Sequence, residues 1–154
     1  MKARTILLIF LLCFVGAALC FAGDPQIGTW KLNEAKSKIA AGSPKFTIVV
    51  YEAAGDSVKI TVDGTDGERK PVHNEWTGKY DGKDNPVTGD PNTDTRSYSK
   101  VNDRTLAFAN KKGGNVTMSG RGVVSSDGKT RRVTLNGTDS KGKKFTSTAV
   151  YDKQ

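Results

Sequence analysis

The chain has 154 residues and a formal net charge of +8 at pH 7, and both of its cysteines lie before residue 21. This length suits a single domain. With one histidine and no cysteine after Cys20, the composition argues against a disulfide framework and a tetrahedral zinc site in the remainder.

Residues 1–22 have the pattern of a secretory signal peptide. Two basic residues precede an apolar run over residues 6–21, and small residues stand at the −3 and −1 positions of a cut after Ala22. The run is too short to span a membrane, and polar sequence follows at once. We expect export to the periplasm or the medium, and one mature domain, residues 23–154, without a transmembrane segment. Cleavage after Ala17 is an alternative.

The first element after this leader is a predicted strand, residues 27–33, that contains Gly28 and Trp30. A short helix over residues 34–38 is expected to follow, with Asn33 as its N-cap. We expect Gly28 and Trp30 to form the closed base of a barrel, because a large apolar ring stabilises closure. The alternative place for Trp30 is the wall of a ligand cavity.

The rest of the chain is typical of short strands separated by turns. Val58, Ile60 and Val62 alternate with polar residues, and other segments are rich in β-branched and aromatic residues. Residues 80–94 contain Asp-Gly, Asn-Pro and Asp-Pro pairs and are predicted to be an ordered loop, a lip over a barrel mouth. The predicted strands cover residues 45–52, 57–63, 69–79, 95–101, 105–110, 116–125, 130–138 and 144–152.

This regular succession of short strands, with almost no helix, predicts an all-β fold. Consecutive tight turns favour an antiparallel up-and-down β-barrel over a Greek key, and closure removes exposed strand edges. We expect a lipocalin-like barrel of about eight to ten strands, with one short helix after the first strand.

Both ends of the mature domain resemble those of a known barrel class. Residues 28–32 resemble the Gly-x-Trp signature of the calycins, the lipocalin and fatty-acid-binding barrels, and residues 148–153 resemble the closing strand of the fatty-acid-binding proteins. In that pattern an arginine two residues before the tyrosine binds the ligand carboxylate. Ala149 occupies the position of that arginine here, so Tyr151 is the only member of the arginine–tyrosine pair that this sequence contains. Residues 34–41 are also too few for the two-helix lid of that family.

The whole mature chain is similar to small exported bacterial proteins described as lipocalin-like. The matching segments are residues 30–33 with 36–38, residues 79–84 with 86–89, and residues 126–130. This resemblance implies an exported barrel and implies no particular activity.

Apolar and aromatic side chains are the candidates for a ligand site. A barrel that carries a small apolar or amphipathic ligand needs an interior pocket of about 300 Å3 or more, with a few polar anchors. In a solid barrel the same side chains form the core. The residues expected to line a pocket are Trp76, Tyr98, Phe108, Met118 and Tyr151.

Positive charge is concentrated in the second half of the chain. Thirteen basic and four acidic residues follow Thr95, against nine and twelve in residues 23–95. This asymmetry suggests a basic surface for an anionic lipid or polysaccharide of the envelope, although a solvated exterior is the plainer interpretation. Export argues against a nucleic-acid partner. The expected surface residues are Arg121, Arg131, Arg132, Lys141, Lys143 and Lys144.

The sequence contains no catalytic constellation, and we expect a non-enzymatic protein without a cofactor. His73 and Glu75 share one face of a strand, but a surface pair is the better interpretation because no nucleophile lies near them. Asp90, Asn92 and Asp94 have the alternate spacing of a calcium loop. Because its glycine and closing glutamate are absent, turn chemistry explains the spacing better than a metal.

Overall fold

The computed structural model describes residues 23–154, which form a closed antiparallel β-barrel of ten strands. Each strand pairs with its neighbours in the chain, and the first strand also pairs with the last. Closure therefore leaves no unpaired sheet edge. The strands are β1 Gly28–Leu32, β2 Lys45–Ala54, β3 Ser57–Thr65, β4 Pro71–Gly78, β5 Asn85–Thr88, β6 Thr95–Asn102, β7 Thr105–Lys112, β8 Asn115–Val124, β9 Thr130–Thr138 and β10 Lys144–Lys153.

The all-β, up-and-down architecture predicted from the sequence is confirmed. The short helix after β1 is a single 3-10 turn, Glu34–Lys36, and Asn33 caps it as expected, since its Oδ1 accepts a hydrogen bond from the Lys36 amide at 3.2 Å. Within residues 23–154, no helix has the length and apolar character needed to cross a membrane.

The prediction of a loop over residues 80–94 is wrong at β5. This four-residue strand lies between β4 and β6, with only two registered pairs to each neighbour. Pro86 and the surrounding turn residues give a weak local strand signal. Pairing with the two flanking strands, β4 and β6, decides the conformation of this segment.

Trp30 closes one end of the barrel. Its ring has no exposed surface, and its Nε1 donates a hydrogen bond to the carbonyl oxygen of Gln26 at 2.8 Å. Gln26 is buried as well and donates to the carbonyl oxygen of Arg104 at 3.1 Å. Gly28 has a φ of +134°, and a Cβ there would lie 2.6 Å from Cε of Lys153. The indole and the preceding segment therefore fill this end.

The connection between β1 and β2 covers the opposite end. Lys38 exchanges backbone hydrogen bonds with Thr148 of β10, at 2.7 and 2.9 Å. Further along, the carbonyl oxygen of Gly42 lies against Gly67 in the β3–β4 turn, where a Cβ on Gly67 would come within 2.2 Å of it. The β1–β2 connection therefore contacts β10 on one side of this end of the barrel, its mouth, and the β3–β4 turn on the other.

Inward-facing glycines make room for large side chains on neighbouring strands. A Cβ on Gly120 would lie 2.1 Å from the carbonyl oxygen of Thr134 and 2.8 Å from the ring of Phe108. A Cβ on Gly122 would meet the guanidinium of Arg131 at 2.6 Å. Any larger residue at these two positions would overfill the interior, because a packed core tolerates little extra volume.

We expect Gly120→Ala to lower the free energy of unfolding by about 1–3 kcal/mol, because the new methyl overlaps a backbone oxygen that is held in the sheet. Urea denaturation of a protein that consists of residues 23–154 measures the change. Gly23→Ala is the control, since nothing lies within 4 Å of a Cβ at that position. Equal stabilities of the two variants would contradict the packing described here.

Candidate functional site

The barrel interior contains a cavity of about 40 Å3. One water needs about 10–15 Å3 by this measure, so the cavity has room for a few waters or a small polar group. It is far below the about 300 Å3 expected of a pocket for a drug-sized ligand. Aromatic side chains fill most of the interior, and the open cavity required by the carrier hypothesis is not present.

Four of the five predicted pocket residues line this cavity. Tyr98, Phe108, Met118 and Tyr151 all do so, whereas Trp76 does not. Trp76 is 1% exposed and packs edge-on against Tyr98 with ring centroids 4.8 Å apart. Its ring therefore belongs to the packed core beside Tyr98 and does not line the cavity, which corrects the sequence prediction for this residue.

Arg131 lies inside the barrel, and its assignment to a basic outer surface is wrong. It is 3% exposed, and its Cζ lies 4.4 Å from the ring centroid of Tyr51. Its neighbour across the sheet is Tyr151, and the missing side chain of Gly122 leaves space for the guanidinium. Strand alternation is the reason, because Arg131 shares the inward face with Val133, while Arg132 faces outward.

Arg96 is a second buried arginine, and sequence reasoning missed it. It is 3% exposed; its Nε donates to Oδ1 of Asn110 at 2.7 Å, and its Nη2 donates to Oδ1 of Asn74 at 3.2 Å. Its Nη1 is buried without a hydrogen-bond partner in residues 23–154. A sequence signal for its burial did exist: Arg96 stands two residues before Tyr98 in β6, so both side chains point to the same face of the sheet.

The cavity carries positive charge that the described residues do not neutralise. Both Arg96 and Arg131 line it, and no carboxylate does. Burial raises the pKa of the Tyr51 and Tyr151 phenols well above their usual value, so both are neutral at pH 7. Arginine keeps its proton in proteins, and an unpaired buried charge is destabilising. The interior is therefore suited to an anionic group.

The other predicted basic residues are exposed and lie outside the barrel. None of them takes part in an ion pair within residues 23–154, and β8 and β9 contain no acidic residue. Lysines elsewhere, such as Lys79 with Asp56 at 2.6 Å, have acidic partners. We call this set the basic surface; it consists of Arg121, Arg132, Lys141, Lys143 and Lys144.

His73 and Glu75 do not pair with each other. Nδ1 of His73 lies 2.6 Å from Oδ1 of Asp63, and Oε1 of Glu75 lies 2.8 Å from Nζ of Lys59. Each of these four side chains is well exposed on the outer wall. The arrangement consists of two surface ion pairs and gives no support to a general base.

The Asp90–Asp94 segment uses its carboxylates in turns. Oδ1 of Asp90 accepts a hydrogen bond from the Asn92 amide at 2.9 Å. The Gly113 amide and the Lys112 ammonium bind Asp94 and hold the pKa of its carboxyl below the usual value. Among the residues that the structure describes, no group of three or more His, Cys, Asp or Glu side chains is placed to hold a metal ion.

Comparison with solved structures identifies the fold class. The chain is similar to a Schistosoma mansoni fatty-acid-binding protein in complex with arachidonic acid, with a TM-score of 0.57 and 18% identity over 90% of this chain and 99% of that one. It is also similar to EF1p2_mFAP2b bound to DFHBI, with a TM-score of 0.49 and 12% identity over 84% and 94%. No protein-family model and no curated protein matches the chain. The first likeness shows the fold: a closed ten-strand barrel of the fatty-acid-binding-protein type.

We expect Asn110→Ala to lower the free energy of unfolding by about 1–3 kcal/mol, because it leaves Nε of the buried Arg96 without an acceptor. Chemical denaturation gives the value. Asn136→Ala is the matched control, since this exposed amide accepts only a surface hydrogen bond from Thr146 at 2.9 Å and should change stability by less than about 0.5 kcal/mol. Similar losses in both variants would show that Arg96 does not rely on Asn110.

Proposed function

We propose that this protein is a non-enzymatic binding protein whose barrel holds the charged group of a small amphipathic anion at Arg96 and Arg131. The observation that carries the proposal is the presence of two guanidinium groups on one interior cavity without an acidic partner among the described residues. Carboxylate and phosphate groups bind guanidinium strongly in a site shielded from water.

The size of the cavity limits the ligand. A volume of about 40 Å3 accommodates a charged group of a few atoms, and Val49, Val133 and Leu135 offer apolar contact to a short tail. A longer tail would have to displace Phe46 or Phe108, which are only half-buried. A short-chain carboxylate therefore fits the interior better than a long-chain fatty acid.

The interior arginine comes from a different strand than in the fatty-acid-binding pattern. Ala149 occupies the position of the carboxylate-binding arginine on β10, and Arg131 supplies a guanidinium from β9, directly opposite Tyr151. The hydroxyl of Tyr151 donates to the carbonyl oxygen of Phe46 at 3.0 Å. The hydroxyl of Tyr151 is thus used in a structural hydrogen bond to β2, and we assign binding of the anionic group to the two arginines.

Export by the segment 1–22 is part of the proposal. Those residues lie outside the described part of the chain, and β1 begins only at Gly28. Removal of residues 1–22 leaves intact the contact of Trp30 with Gln26 and every described strand. Mass determination of the protein recovered from the periplasm or medium tests the cleavage site; retention of residues 1–22 would contradict export by a cleaved signal.

We expect Arg131→Met to weaken binding of propanoate at least about tenfold, the effect of losing one charge-assisted hydrogen bond. Stability should stay equal or rise, because the variant removes an uncompensated buried charge. Isothermal titration and urea denaturation measure the two quantities. Arg132→Met, one residue along and exposed, is the control and should change neither.

Two results would overturn this proposal. One is binding of propanoate to Arg131→Met with the affinity of the unmodified protein. The other is a large loss of stability in Arg131→Met without any anion binding to the unmodified protein, which would assign the arginine a structural role.

A second candidate function is docking of the basic surface on an anionic lipid membrane. The nearly filled interior favours it, because a solid barrel needs no ligand. Val123 is 44% exposed and lies opposite Arg132 in the sheet, which adds an apolar contact next to the charges. Each basic residue near an anionic membrane contributes about 1 kcal/mol, and salt screens this attraction.

We expect the double charge reversal Arg121→Glu with Arg132→Glu to reduce binding to phosphatidylglycerol vesicles by at least about tenfold at low salt. The control is the double substitution Lys79→Glu with Lys100→Glu. It changes the net charge by the same amount, but both lysines already have an acidic partner, Asp56 and Asp103 respectively. Co-sedimentation measures both. Equal losses in the two doubles, or binding that is insensitive to salt, would count against docking through the basic surface.

A further inference from the structure

A second cavity lies at the mouth of the barrel and is much larger than the interior one. It has a volume of about 450 Å3 and is bounded by the β1–β2 connection, the ends of β2 and β3 and the β3–β4 turn. We call it the rim cleft. Its volume falls within the about 300–1,000 Å3 that ligand pockets have. It shares no lining residue with the interior cavity.

Arg69 lines the rim cleft from an unfavourable backbone conformation. Its φ is 67°, and no other non-glycine residue in 23–154 has a positive φ. Most side chains avoid this left-handed region because Cβ crowds the backbone. Residues kept in such a conformation are often found at functional sites.

A second turn in the same chain shows that this position does not require arginine. In both turns the first aspartate accepts hydrogen bonds from the amides two and four residues later, Asp66 at 2.8 and 2.9 Å and Asp139 at 2.9 and 2.8 Å. The residue three positions after Asp139 is Gly142, with a φ of 79°. Glycine satisfies the turn without strain, so the turn alone does not explain Arg69.

The chemistry of the rim cleft fits an amphipathic anion. Leu32 and Ile39 give it an apolar side, and Leu32 is 8% exposed. Arg69 forms no ion pair with the described residues, whereas Lys45 is paired with Glu34 at 2.8 Å. An uncommitted cation therefore stands beside an apolar surface.

A buried hydroxyl adds a polar anchor to the same place. Thr65 lines the cleft, and its Oγ1 is buried and has no hydrogen-bond partner among the described residues. Buried polar atoms normally have a partner, so an unsatisfied one beside a cavity calls for a ligand or water.

We infer that the rim cleft is a binding site for a small amphipathic carboxylate or sulfonate, separate from the interior cavity. Arg69 binds the acidic group, Leu32 and Ile39 contact the apolar part, and Thr65 supplies a hydrogen bond. The site does not depend on the proposed interior function, because neither of the interior arginines lines it.

Arg69→Gly tests the inference because glycine relieves the left-handed strain and should not unfold the protein. The probe is 1-anilinonaphthalene-8-sulfonate, titrated into the mature protein and followed by its fluorescence. We expect at least a tenfold loss of affinity, with equal or higher thermal stability. Lys70→Ala removes a charge from the same turn and is the control; this exposed lysine pairs with Glu68 at 2.7 Å, and its removal should leave affinity unchanged.

Methyl chemical shifts in the unmodified protein locate the probe. Shifts at Leu32 and Ile39 on addition of the probe support the rim cleft. Shifts confined to Met118, Val133 and Leu135 would place the probe in the interior and overturn the inference. Unchanged affinity in Arg69→Gly, equal losses in Arg69→Gly and Lys70→Ala, or no saturable binding to the unmodified protein would each overturn it as well.

Discussion

The pairing of β1 with β10 is the constraint on which the rest of the structure depends. Trp30 lies opposite Lys153 and Leu32 opposite Tyr151, so the first and last strands meet and close the sheet. Closure gives every strand a partner on both sides and directs alternate side chains into an interior of fixed size. Trp30 then fills one end of that space.

The limited interior explains why small residues and large ones alternate across neighbouring strands. Gly122 leaves the volume that the guanidinium of Arg131 occupies, and Gly120 does the same for Phe108. The result is a barrel with little free volume but with positive charge in it. An entirely apolar interior would not contain such charge, and a buried charge of this kind is weak evidence for stability.

The type of fold does not determine how much free space this barrel contains or where that space lies. The architecture is that of the fatty-acid-binding proteins, yet the interior has room only for a small group, and Ala149 replaces the arginine of that pattern. Space of ligand size lies instead at the rim, where the connection after β1 is too short to form a helical lid. The same scaffold therefore has two cavities with arginine in their lining, a small one in the interior and a larger one at the rim.

The sequence by itself determined the elements that local interactions control. Asn33 caps the turn after β1 through its own side chain, and Asp127-Gly128 forms a tight hairpin, because both need only near neighbours. Tertiary structure decided β5, which exists through its few pairs with the flanking strands β4 and β6, and the burial of Arg96, which needs the amide of Asn110. It also decided the cavity volumes, because free space is the difference between the enclosed volume and the side chains from all the strands, and no local pattern encodes it.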